Sequence, residues 1–212
     1  MTNIIHRAFR TGSSPIIVPR EISSPSYTID NASVVNLGSS EDIGCPRFDL
    51  LMKNCAVEGT WSISHLFKME KCSSQALTIQ INGHAQVNLI DCSIKNCYVK
   101  YGHSRTNTTQ KFHGCHFHNL VIHKVPYNID VTASIINKLT IDRDDIAQAS
   151  ARLNFTDCGI SSVIVESLRH NFTIDGFMVK DSIHIRQQDL SNTILIGDRN
   201  RIKLIVNQLR ND

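Results

Sequence analysis

The chain has 212 residues, of which 41% are apolar, 19% charged and only 6% aromatic, with a formal net charge of +3. That length suits one domain, and an aliphatic interior rich in Ile and Val favours strands. The small positive charge argues against obligate nucleic-acid binding and against mimicry of DNA by an acidic surface. No apolar run reaches membrane-spanning length.

Residues 1–26 do not fit the repeat that begins at Tyr27 and are expected to form an irregular N-terminal cap. Met1 to Gly12 lacks the apolar core of a secretory signal. Pro15, Pro19 and Pro25 exclude a continuous helix, and Ile4 to Arg10 is expected to make a helical turn or two over one end of the fold. The seven cysteines are read as reduced thiols of a cytoplasmic protein. Asn31, Asn107, Asn154 and Asn171 each begin an Asn-x-Ser/Thr triplet, taken as chance matches in the absence of a signal.

From Tyr27 the chain repeats, with coils starting at Tyr27, Leu50, Phe67, Val87, Gln110, Ile129, Leu153, Phe172 and Asn192. Such a period specifies a stacked solenoid, because each unit buries its apolar face only against its neighbours. Within a coil the pattern is five residues long, with the first and third apolar or small, as in Val87-Asn88-Leu89-Ile90-Asp91 followed by Cys92-Ser93-Ile94-Lys95-Asn96. Residues two apart on a strand point the same way. The first face therefore turns Leu50/Met52, Phe67/Met69, Val87/Leu89, Ile129/Val131, Leu153/Phe155 and Phe172/Ile174 inward. The second turns in Cys55/Val57, Cys72/Ser74, Cys92/Ile94, Cys115/Phe117, Ser134/Ile136 and Cys158/Ile160. The third turns in Leu77/Ile79, Cys97/Val99, Leu120/Ile122, Leu139/Ile141 and Val163/Val165. A variable fourth side carries turn residues such as Gly102-His103-Ser104.

Units such as Val87-Asn88-Leu89 and Leu153-Asn154-Phe155 make residues 27–206 resemble the pentapeptide-repeat proteins. The resemblance implies a right-handed parallel β-helix, and Cys, Ile and Val here stand where that family favours Ala and Leu. The expected fold is a single-domain, all-β solenoid of about eight to nine coils, three- or four-sided, with residues 207–212 as a C-terminal tail. The resemblance also implies a homodimer through the C-terminal coils, where Ile202, Leu204 and Val206 are the candidate contacts.

The register has two irregular places. A strict count turns Ser182 and His184 inward, whereas a one-residue bulge would bury Ile183 and Ile185 and is preferred. Arg199 falls inward in the last coil, so the solenoid is expected to open or cap near 198–201.

Four groups of residues carry possible chemistry. The cysteine column is read as packing at tight corners, since no Cys-x-x-Cys pair is present and buried thiols are inert. Cys45, before Pro46, is the more reactive candidate. His113, His116, His118 and His123 share one coil and are expected to face outward, so His116 and His118 are weak metal candidates. Asp91, Asp157 and Asp175, with Asp142 beside Glu166, are the carboxylates that a polysaccharide-acting β-helix enzyme would need, although the loops are short and suggest no groove.

The third face is the sharper feature. Trp61, Thr78, Tyr98, Val121, Thr140, Ile164 and Ile183 are expected to form an exterior column more apolar than a solvated face. The N-terminal segment or a partner would cover it. Lys100, Lys124, Arg143 and Arg186 form a basic edge beside it that suits an acidic partner. The expected function is a non-catalytic module that binds or occludes another protein, as a small viral or phage inhibitor would. A self-assembling filament or fibre component is the alternative, and no cofactor, membrane or nucleic acid is expected.

Overall fold

The computed structural model describes residues 5–9, 15–18, 25–36, 48–101, 108–123, 128–142, 152–166, 171–175, 179–186, 193–196 and 204–206. These form a parallel β-solenoid with two ten-stranded sheets, each coil giving one strand to each sheet. Coil 1 contributes Ile5–Phe9 and Ile16–Ile17, coil 2 Ser26–Asp30 and Ser33–Asn36, coil 3 Asp49–Lys53 and Ala56–Ile63, and coil 4 Leu66–Glu70 and Ser73–Ile81. Coil 5 contributes Gln86–Ile90 and Ser93–Tyr101, coil 6 Thr109–His113 and His116–His123, and coil 7 Asn128–Thr132 and Ile135–Asp142. Coil 8 contributes Arg152–Thr156 and Gly159–Glu166, coil 9 Asn171–Asp175 and Val179–Arg186, and coil 10 Thr193–Ile196 and Leu204–Val206. Among the described residues no helix is long and apolar enough to cross a membrane.

The stack begins earlier than the repeat does. Ile5–Phe9 pairs in parallel with Ser26–Asp30, and Ile16–Ile17 with Val34–Val35. Ile5–Phe9, where a helical turn was expected, is therefore a strand, and it adds one coil to the nine the repeat marks out. Backbone pairing with coil 2 satisfies that segment without the apolar period that a sequence reading relies on.

The second strand of each coil folds over a corner. In Ser73–Ile81 the side chains of Ser74, Leu77, Ile79 and Ile81 are buried, while Gln75 and Ala76 are consecutively exposed. The two outward residues mark the edge between the second and third faces. The described parts of the fourth side are short: Ser64–His65 joins coil 3 to coil 4, and the turn from coil 4 to coil 5 is closed by the Ala85 N–H donating to Asn82 O at 3.2 Å. Each inward pair expected from coil 3 to coil 8 is buried wherever its side chains are described. Coil 6 adds Gln110 and Phe112 to the first face. The Gln110 amide is fully buried but satisfied: Oε1 accepts from Val87 N at 2.6 Å, and Nε2 donates to Ala85 O and Thr108 Oγ1.

The corner between the first and second faces is the same in coil after coil. Asn31, Asn54, Lys71, Asp91, Gly114, Ala133 and Asp157 all have φ between 50° and 64°. A left-handed residue there turns the chain within one position, and a small inward residue follows it: Ala32, Cys55, Cys72, Cys92, Cys115, Ser134 or Cys158. The left-handed state strains a residue with a Cβ by about 1–2 kcal/mol, least for Asn and Asp. Its repetition therefore reflects what the corner requires rather than what each residue prefers.

Trp61 corrects an expectation. It is fully buried and not part of an exterior column. Ala56 pairs with Ser73 and Gly59 with Leu77, so coil 3 is one residue shorter than coil 4 over this corner. Gly59, at φ 100°, absorbs the change, and Trp61 shifts into register with inward Ile79. Its ring packs 5.7 Å from that of Phe67, and its indole N–H donates to Glu58 O at 3.2 Å. The Glu58 carboxylate accepts the Gln75 and Ala76 N–H groups at 2.7 and 2.9 Å, replacing the missing backbone partner. In coil 9 the opposite irregularity occurs. An extra residue lies between Val179 and Ser182, so Ile183 aligns with inward Val163 and Ile185 with Val165. The register carries the one-residue bulge, and Ile183 stands opposite Val163 rather than opposite Ile164.

Two measurements test the burial of Trp61 and the geometry of the corner. Because Trp61 is the chain's one tryptophan, its native emission is expected to be blue-shifted and unquenched by iodide until the protein unfolds. Gly114→Ala places a Cβ against the Asp91 carboxylate at a left-handed position. It is expected to lower stability in urea titration by about 1–2 kcal/mol, whereas Ala133→Gly at the equivalent corner should be neutral or stabilising.

Candidate functional site

The cysteine column is set by backbone geometry. At each corner the left-handed residue donates its N–H to the following coil, as Lys71 N does to Ile90 O at 2.9 Å and Asp91 N to His113 O at 2.9 Å. Two residues later the N–H donates to the preceding coil, as Ser73 N does to Cys55 O and His116 N to Cys92 O, both at 2.8 Å. The residue between them has no carbonyl opposite its N–H. Cys55 N donates instead to Cys72 Sγ at 3.5 Å, and Cys115 N to Ser134 Oγ at 3.0 Å. The thiols in turn donate to carbonyls: Cys72 to Glu70 O and Met52 O, Cys115 to His113 O and Leu89 O, and Cys158 to Thr156 O and Val131 O, at 3.3 to 3.4 Å. Six free cysteines are buried, at positions 55, 72, 92, 97, 115 and 158, which agrees with packing. Cys45 lies outside the described residues.

Along the column each thiol raises the pKa of the thiol one coil before it and lowers that of the thiol one coil after it. The Cys115 thiol, followed by burial, pushes Cys92 up to about 12, and burial pushes Cys97 up further. Cys72 is pushed up to about 11: the Cys55 thiol lowers it, but the Cys92 thiol and burial outweigh that effect. Cys115 is drawn down, because the Cys92 thiol donates to it. A raised native thiol pKa favours the folded state below the unfolded value near 9 and loses that contribution as pH rises towards the native value. Stability is therefore expected to fall from about pH 9 upward, by up to about 1.4 kcal/mol per pH unit for each such thiol. Urea titrations at pH 8, 9 and 10 measure this, with Cys92→Ser flattening the slope.

The four histidines of coil 6 diverge. His113 Nδ1 lies 2.8 Å from Thr132 Oγ1, and His118 Nδ1 accepts from the Asn137 amide at 3.0 Å. His123 Nδ1 pairs with Asp142 Oδ2 at 3.1 Å, and its ring stacks on Tyr98 with centroids 5.9 Å apart. His116 and His118 both point outward as expected. Among the described residues no group of three or more His, Cys, Asp or Glu side chains is placed to hold a metal. The pairing of His123 with the next coil was not read from the sequence. The signal was Asp142, 19 residues downstream and one coil on.

The carboxylates are dispersed. Asp91 and Asp157 occupy the same corner but lie three coils apart, about 14 Å at the usual strand spacing. Asp175 ends the first strand of coil 9, in register with Ile196. Asp142 is engaged by His123.

The exterior of the third face is continuous. Thr60, Thr78, Tyr98, Val121, Thr140, Ile164 and His184 stand in register, so Thr60 and His184 take the places expected for Trp61 and Ile183. Tyr98, Val121 and Ile164 are half-buried. Burial, and then the Asp142 charge, raise the Tyr98 phenol above its ordinary value, so it remains a proton donor. Beside this column lies a corner ladder of Ala76, Asn96, Asn119 and Lys138. Asn119 donates to Asn96 Oδ1 at 2.7 Å, and Asn96 to Gln75 O at 3.2 Å. Between column and ladder runs a trough of about 340 Å³ over coils 4 to 7, with Thr78, Tyr98, Val121 and Thr140 along one side and Asn96 and Lys138 on the other. Lys100 follows Tyr98 two residues along the strand, outside the lining of the trough and in register with His123. Lys124 and Arg143 lie outside the described residues, and Arg186 pairs in register with Glu166.

Comparison with protein-family models, curated proteins and solved structures finds no match to this chain.

Proposed function

We propose that the chain is a non-catalytic interaction protein, related in design to the pentapeptide-repeat β-helices, that binds or occludes a partner protein through the exterior of its third face. The trough over coils 4 to 7 carries this reading. It sets a half-buried tyrosine and valine among amides and hydroxyls on a rigid stack, a mixture typical of surfaces that lose water on binding. The N-terminal strands stack on coil 2 as a further coil, so their pairing leaves them at the end of the solenoid. Tyr98, Val121, Ile164, Lys100 and Lys138 are the contacts we assign. The six buried free thiols support a reducing, cytoplasmic setting.

A second reading is self-assembly through the ends. Ile17, on the edge strand of coil 1, is 62% exposed, and Leu204 and Val206 stand in the last described rung; Ile202 lies outside the described residues. Parallel edge strands of this kind can extend a stack into a dimer or filament.

Affinity capture with the tagged full chain tests the first reading. Val121→Asp and Ile164→Asp are expected to lose the partner held by the wild type, while Lys111→Asp on the first face retains it and circular dichroism is unchanged. Equal capture by all four proteins would remove the third face as the interface. A light-scattering mass of one chain would remove the second reading.

A further inference from the structure

The trough has a direction and a charge that narrow what it can hold. It runs across the strands, along the solenoid axis. Every strand beneath it is hydrogen-bonded on both sides, since coils 4 to 7 are interior to both sheets. A ligand cannot join as an added strand and must be held by side chains. Lys138 lines one bank; Lys100 lies outside the lining, two residues beyond Tyr98 on the same strand, two coils from Lys138 and about 10 Å from it along the axis. Neither makes an ion pair among the described residues, whereas Asp142 is engaged by His123 and Glu58, at the coil 4 end of the trough, by the Gln75 and Ala76 N–H groups. The floor is only partly polar. Val121 and the threonine methyls offer apolar surface, and one face of the Tyr98 ring is already covered by His123, which leaves little open aromatic surface to stack a sugar or a base.

Building on the interaction reading above, we propose that the trough over coils 4 to 7 receives an extended, acidic peptide segment of a partner protein, laid along the solenoid axis. Its carboxylates meet Lys100 and Lys138, and an alternating apolar side chain rests against Tyr98 and Val121. Asn96 and Asn119 keep one amide hydrogen each beyond their ladder, and these face the segment's backbone carbonyls. At about 3.3 Å per residue, four or five residues span the three coil spacings of the trough.

The test uses the full-length chain and a fluorescein-labelled peptide of alternating Glu and Leu, about eight residues long so that it overhangs the trough. Fluorescence anisotropy is read against three comparison probes: the Gln/Leu peptide, an oligogalacturonate and an oligothymidylate. The Glu/Leu peptide is expected to bind at least about tenfold more tightly than the Gln/Leu peptide, a difference of about 1.4 kcal/mol. The double variant Lys100→Glu/Lys138→Glu should abolish that preference and favour a Lys/Leu peptide. Equal binding of the Glu/Leu and Gln/Leu peptides, or no response to charge reversal, overturns the proposal. So does binding of the sugar or the nucleotide with equal strength and equal sensitivity, which would make the trough a general polyanion site. If Val121→Asp loses the captured partner while the charge-reversed protein keeps it, the interface reading stands and the acidic segment falls.

Discussion

The structure depends on one backbone problem, the N–H that a tight corner leaves without a carbonyl. A left-handed residue turns the chain from the first face to the second, and it sends its own N–H to the following coil. The next N–H but one goes to the preceding coil. The group between them is buried with no backbone acceptor opposite, and an unmet buried N–H is destabilising by about 1–3 kcal/mol. A Cys or Ser at that position in the neighbouring coil supplies the acceptor, as Cys72 Sγ does for Cys55 N and Ser134 Oγ does for Cys115 N. The same side chain must be small, because it lies inside the bend, and its own hydrogen goes to a carbonyl of the corner. Leu or Val would fill the volume and leave the N–H orphaned. Ala would fit but accept nothing.

This constraint explains why the column could be read from the sequence while its reason could not. The spacing of Cys55, Cys72, Cys92, Cys115 and Cys158 identifies an inward column at a corner, and their burial agrees with that. Size alone was the reason available, because a sequence shows a residue's volume but not the direction of the N–H beside it. The left-handed residue before each thiol was equally hidden. Asn31, Asn54, Asp91, Gly114 and Asp157 are residue types that tolerate positive φ, but Lys71 and Ala133 are not, and no local preference would place them there. They adopt it because the coils above and below already do.

Sequence pattern and structure part company where a coil differs in length from its neighbours. A strict two-residue alternation carries one error through the rest of a strand, so a single missing residue at Glu58–Gly59 turned Trp61 from outside to inside. Gly59 was the visible signal, since a glycine within a strand pattern often marks a bulge. Near Val179 to Ser182 the apolar pattern itself disclosed the extra residue, because two isoleucines fitted the core better than Ser182 and His184. The N-terminal coil escaped for a different reason. Its first strand joins the sheet by backbone pairing, and its second is only two residues long, too short to show a period. Length and pairing partner, rather than side-chain pattern, decide whether such a segment is legible.

The same stacking rule bears on the third face. In a solenoid each exterior residue is held in line with its counterpart one coil away, so a surface property accumulates by repetition rather than by local design. Asn96 above Asn119 makes an amide ladder, and Tyr98 leaning on His123 draws a large side chain away from that ladder and opens the trough between them. Neither tyrosine nor histidine alone would create a concavity on a flat sheet. Their stack is anchored by Asp142 one coil further on, so the shape of the trough at coil 5 is set by a carboxylate in coil 7. Replacing Asp142 would therefore alter the trough at Tyr98 from two coils away, and the length of the stack sets how far along the axis such an effect can reach.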